Sequence, residues 1–308
     1  MNVVFVGTST FACPALKAVA EEHDVRLVVT QPDRPVGRHA TLAPPATKQV
    51  AGHLGLEVYQ PERINQDEAV ARLAAVPADA FVVAAYGQLL RPRVFDLPRL
   101  GTINIHASLL PAYRGAAPVH WAIIRGETVT GITTFLIDKG MDTGEMLLAR
   151  SIAIEPDETT GELEPRLAEL GAIAILDALA GLENGEISPS PQPEHGVSFA
   201  PMLAREDGRI DWSLPAQAIH NLVRGTNPWP GAWTTLDNER VKLHRSHPTS
   251  IARGPVAGGQ IGPREDGRLL VGTGDRLIEI LEIQREGKPR TSGAAFLNGL
   301  RSETRFAS

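Results

Sequence analysis

The strongest constraint on the fold is a short run of apolar residues, FVVAAY at 81–86. Its apolar side chains do not alternate with polar ones, which is typical of a strand covered on both faces at the centre of a parallel sheet. Similar runs at 2–6 and 25–30 flank a helical pattern that Thr10 can cap, so the chain opens as β-α-β. The first part of the chain is therefore predicted to be an α/β domain with a mostly parallel sheet.

Further strands and helices follow through residue 182, and two irregular segments interrupt or end them. Strands are predicted at 57–59, 102–107, 132–137 and 146–154, and helices at 45–54, 66–75 and 161–182. Residues 31–45 contain four prolines, two arginines and no hydrophobic period, which predicts a long exposed loop. Residues 188–206 also contain four prolines without a period, as expected for a linker.

The part of the chain after this linker is predicted to be a small β-barrel. Short strands separated by Gly-rich turns are predicted at 233–236, 240–246, 258–262, 269–273 and 277–283. Five such strands indicate a barrel of the oligonucleotide-binding type. The predicted organisation is therefore an α/β domain over 1–187, a linker over 188–206 and a barrel domain over 207–308.

Composition narrows the class of protein. No apolar run approaches the roughly 20 residues of a membrane span, and the chain starts with a strand rather than a basic leader, so a cytoplasmic location is expected. The single cysteine, Cys13, excludes an internal disulfide and a thiolate zinc cluster. Net charge is −6, but residues 207–308 carry 14 basic against 11 acidic side chains. This balance is compatible with a nucleic-acid contact confined to the second part.

Polar side chains collect at the end of the predicted strand 102–107. Ile103 and Ile105 alternate with Asn104 and His106, and Ser108 continues the alternation, so a period of two places the polar side chains on one face. In open parallel sheets the ligand crevice lies beyond the carboxyl ends of the strands. An amide beside an imidazole can stabilise an oxyanion, and the imidazole can move a proton near neutral pH. A strand-end Asn and His bonded to nearby backbone is an equally open alternative.

Two carboxylates, Asp138 and Asp142, follow the predicted strand 132–137 in a glycine-punctuated loop. A carboxylate in such a loop can reach His106, orient it and raise its pKa. A metal site formed by both carboxylates and His106 is the competing hypothesis, although the chain lacks H-x-x-H and H-E-x-x-H spacings. A serine hydrolase using Ser108 is less favoured, because A-S-L-L-P is not the G-x-S-x-G elbow.

A series of motifs resembles those of the formyltransferases that use 10-formyltetrahydrofolate. The two central motifs are N-I-H-A-S-L-L-P-x-Y-R-G-A-A-P at 104–118 and D-x-G-x-D-T-G at 138–144. The others are F-V-G-T at 5–8, Q-P-D-R-P-x-G-R at 31–38, A-Y-G at 85–87, R-I-D-W-S-L at 209–214, N-P-W-P at 227–230 and T-G-D at 273–275. The resemblance covers nearly the whole chain in order, including its second domain.

This resemblance implies a Rossmann-like formyltransferase catalytic domain over 1–187, the linker over 188–206 and a C-terminal, OB-like β-barrel over 207–308 that binds tRNA. It also implies 10-formyltetrahydrofolate as formyl donor, initiator Met-tRNA as acceptor, and neither a metal, a membrane nor an obligate protein partner. The methionyl α-amine would attack the formyl carbon, while Asn104 and His106 would hold the oxyanion of the tetrahedral intermediate. Asp142 would set the state of His106.

Binding residues are also implied by the matching motifs. Folate-binding candidates are Tyr86, Gly87, Gln88, Leu89, Leu90, Ser108, Leu109, Leu110, Pro111, Asp138 and Gly140. Candidates for tRNA binding are Arg34, Arg38, Arg240, Lys242 and Arg245. The chain departs from the family at 37–41, where the usual G-R-G-K-K reads G-R-H-A-T. Loss of two lysines should weaken phosphate contacts there and give the barrel a larger share.

Two other functions share the N-I-H and D-T-G core. One is formyl transfer to a nucleotide-linked amino sugar, and the other is hydrolysis of 10-formyltetrahydrofolate. Neither is expected to need the R-I-D-W and N-P-W-P motifs of the second domain. An RNA-binding protein without catalysis would be free to lose Asn104, His106 or Asp142, and all three are present.

Overall fold

The fold is described from a computed structural model, over residues 1–36, 41–263, 266–300 and 305–307. The chain divides into two compact units. The first unit comprises Met1–Gly115, Thr130–Ile152 and Glu164–Ala200, and the second comprises Ala116–Val129, Ala153–Leu163 and Pro201–Ser308. Two short segments that precede residue 164 therefore belong to the second unit. The predicted boundaries at 187 and 207 stay a prediction.

The first unit is built on a seven-stranded, mostly parallel sheet, as predicted. Its strands are β1 (Asn2–Gly7), β2 (Asp24–Val29), β5 (Val58–Tyr59), β6 (Ala80–Ala84), β7 (Thr102–His106), β8 (Val129–Leu136) and β9 (Met146–Ala153), in the order β5-β2-β1-β6-β7-β8-β9. The pairs from β5 to β7 are parallel, and β8 runs antiparallel to β7. Every residue of β6 is buried. This is expected for a continuously apolar strand inside a parallel sheet, here between β1 and β7.

Helices connect or follow these strands in the chain. They are α1 (Cys13–Glu22), which follows a 3-10 turn at Thr10–Ala12, α2 (Ala46–His53), α3 (Asp67–Ala74), α4 (Pro92–Phe95), α5 (Pro118–Ile124) and α6 (Thr160–Glu183). The apolar residues that recur along α1 (Ala15, Leu16 and Val19) are all buried, as expected for a helix with one apolar stripe. β1, α1 and β2 therefore form the predicted β-α-β opening.

The segment 31–45 is more regular than predicted. It contains a two-stranded antiparallel hairpin of β3 (Arg34–Val36) and β4 (Thr41–Ala43), in which Arg34 pairs with Ala43. The prediction of irregular backbone was wrong for these six residues, whereas the predicted exposure is confirmed at Arg34, Pro35, Thr41 and Leu42. Residues 37–40 lie outside the described part of the chain.

The second unit is built on an antiparallel sheet. Its strands are β10 (Ala232–Leu236), β11 (Glu239–Ala252), β12 (Leu270–Gly272), β13 (Arg276–Arg285), β14 (Thr291–Ser292) and β15 (Phe306–Ala307), in the order β12-β13-β11-β10-β15 with β14 on β13. Helix α7 (Ala216–Gly225) packs on β11, and α8 (Gly293–Asn298) packs on β13.

No strand occupies the predicted position 258–262, and this prediction was wrong. The segment instead joins the two edges of the sheet: Gly259 N–H donates to Gly272 O at 2.9 Å, and Phe306 N–H donates to Gly259 O at 2.8 Å. Only isolated bridges form there, because Gly259 has a φ of +76° that interrupts extended backbone. The sheet is thereby closed into a small barrel, as the fold prediction required.

The barrel core is apolar and includes Trp212. Trp212 is 1% exposed and its ring stacks on that of Phe306 at 5.7 Å. Its Nε1–H donates to Thr234 Oγ1 at 3.1 Å, which satisfies the one polar group it carries into the core. Over the described residues, no helix combines the length and apolar character that a membrane span requires.

Candidate active site

Strand β7 brings Asn104 and His106 to one end of the first unit's sheet. β7 lies between β6 and β8, with Asn104 opposite both Val83 and Phe135. Asn104 is half-buried, and its side-chain amide has no hydrogen-bond partner among the described residues. Since both its donor and its acceptor are uncommitted, this amide can serve a ligand.

His106 is buried and both of its ring nitrogens face protein atoms. Nε2 donates to the carbonyl oxygen of Tyr113 at 3.0 Å, and Nδ1 lies 3.7 Å from Oδ2 of Asp142. Phe135 packs against the imidazole edge-on, with ring centroids 6.3 Å apart. In this arrangement Nε2 can donate to a substrate oxygen only after it gives up its bond to Tyr113.

The loop that carries Asp142 is held tightly from within. Oδ1 of Asp138 accepts hydrogen bonds from Gly140 N at 3.0 Å and from Thr143 Oγ1 at 2.7 Å. Oδ2 of Asp142 accepts one from Gly115 N at 2.8 Å. A Cβ on Gly144 would lie 1.7 Å from the carbonyl oxygen of Leu136, so the D-T-G motif needs its glycine for a close backbone approach.

Burial and charge act on His106 in opposite directions. Burial lowers the pKa of His106, while the Asp142 carboxylate and the bond to Tyr113 O oppose that shift, and the pKa stays below its usual value near 6.5. The imidazole is therefore neutral at neutral pH and can accept a proton. A carboxylate 3.7 Å away stabilises the imidazolium that would result.

The turn after β7 contains the predicted folate-side residues. Ser108 is fully buried and its hydroxyl donates to Ala112 O at 2.6 Å, while Leu110 and Pro111 are buried and Leu109 is partly buried. Thr133 holds this turn: its hydroxyl donates to Ser108 O at 2.7 Å and accepts from Leu110 N at 3.0 Å. In this structure the Ser108 side chain serves the turn itself.

The second group of folate candidates follows β6. The carbonyl oxygen of Tyr86 accepts from Thr8 Oγ1 at 2.8 Å and from Gln31 Nε2 at 3.3 Å. The Tyr86 ring is buried, which raises the pKa of its hydroxyl, and the hydroxyl has no hydrogen-bond partner in the described structure. Gly87 has a φ of +88°, so the chain turns sharply there.

The residues after Gly87 alternate between anchored and exposed. Gln88 accepts from Ile64 N at 3.0 Å and donates to Glu62 O at 3.0 Å. Leu89 is 72% exposed, and Leu90 packs on the core that contains Tyr86. An exposed leucine on an anchored backbone is suited to contact a planar ligand.

An open cavity of about 690 Å³ lies beside the Asp142 loop, in the first unit. Asp138, Thr143 and Gly144 line one side of it, and Gln192 and Val197 line another. The predicted linker thus contributes to this region. Sequence reasoning did not identify Gln192, because a glutamine between two prolines carries no chemical signal of its own.

The predicted tRNA-binding residues differ in the groups that their charged side chains already contact. Arg34 lies 3.4 Å from Glu62 Oε2, and Arg38 is outside the described residues. The Arg240 guanidinium lies 4.1 Å from the Trp233 ring centroid, and Lys242 Nζ donates to Pro230 O at 3.3 Å. Arg245 forms an ion pair with Glu162. The pKa of Glu162 is lowered to about 2, chiefly by the backbone N–H of Thr159 and also by Arg245.

The metal hypothesis gains no support from this geometry. Within the described residues, no three His, Cys, Asp or Glu side chains are grouped so that they could hold a metal ion. Asp138 faces its own loop, as its bonds to Gly140 and Thr143 show.

Comparisons with known proteins bear on both units. The profile described as "Formyl transferase" matches residues 1–179, and that described as "Formyl transferase, C-terminal domain" matches residues 202–301. The chain is 49% identical to a protein of Solibacter usitatus named methionyl-tRNA formyltransferase, over 98% of this chain and 96% of that protein.

Two solved structures are similar in fold. An N-formyltransferase from Helicobacter canadensis, in complex with folinic acid and dTDP-3-aminofucose, has a TM-score of 0.68 at 16% identity and covers 92% of this chain and 98% of that one. HypX from Aquifex aeolicus, in complex with tetrahydrofolic acid, has a TM-score of 0.62 at 19% identity and covers 96% of this chain. This chain spans 46% of HypX, about half its length. At these identities the likeness shows a shared fold.

Proposed function

The chain belongs to the formyl transferase family, and from that membership we propose that it transfers the formyl group of 10-formyltetrahydrofolate to the α-amino group of methionine on initiator Met-tRNA. The observation that carries this proposal is the 49% identity to a methionyl-tRNA formyltransferase over 98% of the chain. The likeness includes the second unit, which the family's C-terminal profile matches at 202–301.

The residues of the first unit suit a folate co-substrate. Solved relatives with this fold hold tetrahydrofolic acid or folinic acid. Here the uncommitted amide of Asn104 lies on the same strand as His106, and both precede the anchored Ser108–Pro111 turn. When bound, 10-formyltetrahydrofolate supplies an activated formyl carbon to this place.

The proposed catalytic trio is Asn104, His106 and Asp142. The Asn104 amide donates to the formyl oxygen as negative charge develops on it, which lowers the barrier to attack by the amine. Neutral His106 accepts the amine proton at Nδ1, the nitrogen that does not donate to Tyr113 O, directly or through water, and Asp142 stabilises the imidazolium. The imidazolium then returns the proton to N10 of the folate as the bond between N10 and the formyl carbon breaks, which releases tetrahydrofolate. Donation by His106 to the same oxygen requires exchange of its Tyr113 bond.

Binding of the tRNA substrate is assigned to basic side chains that occur in both units. Arg34 of β3 and Arg38, together with Arg240, Lys242 and Arg245 of the barrel, are proposed to contact tRNA phosphates. Such a reaction serves translation initiation, so we place the protein in the cytoplasm.

The alternative acceptor is a nucleotide-linked amino sugar, since a solved relative in this fold binds dTDP-3-aminofucose. That relative is 16% identical to this chain, whereas the methionyl-tRNA formyltransferase is 49% identical. Hydrolysis of 10-formyltetrahydrofolate is a third possibility that uses the same catalytic trio. Both rank below formylation of Met-tRNA.

One assay separates these functions. The protein is incubated with 10-formyltetrahydrofolate in four parallel reactions. These contain Met-tRNA, free methionine, an amino sugar nucleotide or no acceptor. We expect formylation of Met-tRNA alone. Formylation of the sugar without Met-tRNA, or release of formate with every acceptor and with none, would overturn the proposal.

A further inference from the structure

The segment 190–200, here called the strap, runs along both parts of the candidate active site within the first unit. Ser190 pairs with Met146 just beyond the Asp142 loop, and Phe199 pairs with Arg114 in the turn after β7. Between these points Gln192 contacts the Asp142 loop itself. We propose that Gln192 is a positioning residue for formyl transfer, which holds the Asp142 carboxylate in place against His106.

The side chain of Gln192 uses its whole hydrogen-bonding capacity on this region. Its Nε2 donates to Asp142 O at 2.8 Å and to Gly144 O at 2.9 Å. Its Oε1 accepts from Nε and Nη2 of Arg114 at 3.1 and 2.6 Å. Two donated and two accepted bonds saturate a glutamine amide, so the orientation of this amide and of the loop carbonyls is fixed.

The backbone of Asp142, which Gln192 binds, has an unfavourable conformation. Asp142 has a φ of +53°, in the left-handed region that disfavours residues with a Cβ. Such conformations persist only when the surroundings over-determine them. The carbonyl oxygen of Asp142 is one of the two that Gln192 binds. This hydrogen bond therefore acts directly on the residue that has the unfavourable φ.

The contacts form a closed circuit around the carboxylate. Arg114 is bound through its side chain to Gln192, Gln192 is bound to the backbone of Asp142, and the Asp142 carboxylate accepts from Gly115 N, next to Arg114. A shift of any member moves the carboxylate relative to Nδ1 of His106, now 3.7 Å away.

The strap also secures the partner of the other imidazole nitrogen. Ser198 Oγ accepts from Tyr113 N at 2.9 Å, and Ser198 O accepts from Arg114 N at 2.9 Å. The carbonyl of Tyr113 accepts from His106 Nε2. One segment therefore supports the groups on both sides of the imidazole, which is the arrangement expected of outer partners that orient a catalytic ring.

This inference rests on the proposed function, and its first test is kinetic. Gln192→Glu keeps the acceptors for Arg114 and loses both donors to the loop, whereas Gln192→Met loses all four bonds at similar volume. We expect kcat for formylation of Met-tRNA to fall about 10- to 100-fold in each, with KM for tRNA and folate within about twofold of wild type. Gln49→Met, which removes an exposed glutamine from α2, should leave kcat unchanged.

A double-mutant cycle tests whether Gln192 acts through Asp142. In an Asp142→Asn background, Gln192→Met should change kcat less than twofold, because the group it positions is gone. Additive losses would overturn the proposal, as would wild-type kcat in both Gln192 variants.

An NMR titration of the His106 ring protons supplies a readout that does not depend on the acceptor. Gln192→Met should lower the pKa of His106 in the direction that Asp142→Asn lowers it, and a thermal unfolding scan shows that the variant is folded. An unchanged His106 titration in folded Gln192→Met would refute the positioning role. If wild type fails to formylate Met-tRNA while the titration shifts, the proposed function fails and this inference stands.

Discussion

At the residue scale, the chemistry depends on how closely Asp142 approaches His106. Asp142→Asn removes the charge that opposes the effect of burial on the His106 pKa. We expect kcat to fall about 10²- to 10⁴-fold, and the acid limb of the kcat–pH profile to move to lower pH, because the imidazole becomes harder to protonate. A profile displaced to higher pH would contradict this account. Asp177→Asn, an exposed carboxylate paired with Arg150, is the control.

Gly144 is a second residue whose identity the geometry dictates. A Cβ there would lie 1.7 Å from Leu136 O, a rigid backbone atom. Gly144→Ala should therefore destabilise the fold by about 1–3 kcal/mol, as overpacking does, and lower kcat as the Asp142 loop moves. Gly52→Ala is the matched control, since no atom lies within 4 Å of its added Cβ in α2. It should stabilise by about 0.5–1 kcal/mol, and both are measured by urea unfolding.

Period-two spacing and side-chain chemistry pointed to Asn104 and His106, and a glycine-punctuated loop pointed to Asp138 and Asp142. The choice of Asp142 between the two carboxylates came from the resemblance to the formyltransferases. Sequence reasoning did not reach Tyr113, whose contribution is a backbone carbonyl oxygen. Gln192 was missed for a related reason: its partners are the carbonyls of residues about 50 positions away. Backbone acceptors have no sequence signature, so such partners emerge only from coordinates.

At the element scale, the barrel depends on the inward-facing side of β11. Leu243 on β11 is 0% exposed and belongs to the barrel core, whereas Leu281 on β13 is 41% exposed. Leu243→Ala should destabilise the protein by about 2–5 kcal/mol through lost burial and a cavity. Leu281→Ala should cost less than about 1 kcal/mol, since it removes little buried surface. Comparable losses in the two variants, measured by urea unfolding, would mean that this register of β11 and β13 is incorrect.

Strands and helices with a clear apolar pattern could be predicted from the sequence. Segments that close the barrel by bonding to residues distant in the sequence could not. The buried β6 and the helix α6 follow from their apolar patterns, and both were predicted within two residues of the structure. The segment 258–262 has strand-like composition, yet it pairs by single bridges to Arg305 and Val271. Gly259 interrupts the extended backbone there, and the residues that the segment pairs with lie elsewhere in the sequence, so no local pattern encodes the pairing.

At the scale of the whole molecule, buried histidines set the dependence of stability on pH. Burial lowers the pKa of His106, His120, His220 and His244 below the ordinary value near 6.5. The unfolded chain then binds more protons than the folded one below that value, so the free energy of unfolding falls as pH drops through about 6.5. Urea unfolding at pH 8, 7, 6 and 5 tests this. A constant free energy across that range would contradict it.

The salt dependence of tRNA binding should depend on basic side chains whose charge is not paired with a carboxylate. Lys242 has no carboxylate partner in the described part of the chain, whereas the charge of Arg245 is matched by Glu162. Lys242→Gln should reduce the slope of log KM for tRNA against log salt concentration by about 1, and Arg245→Gln should reduce it less. KM for folate should change in neither. Arg26→Gln, an exposed arginine of β2 paired with Asp24, serves as the control.

The division of the chain into units has a consequence for its synthesis on the ribosome. Helix α5 belongs to the second unit and packs against α7, which is translated about ninety residues later. At about 5–20 residues per second, this interval lasts on the order of 5–20 s. During it α7, the helix against which α5 packs in the second unit, is still missing from the nascent chain. The second unit can therefore form its α5–α7 packing only after residues 130–215, most of which belong to the first unit, have been synthesised.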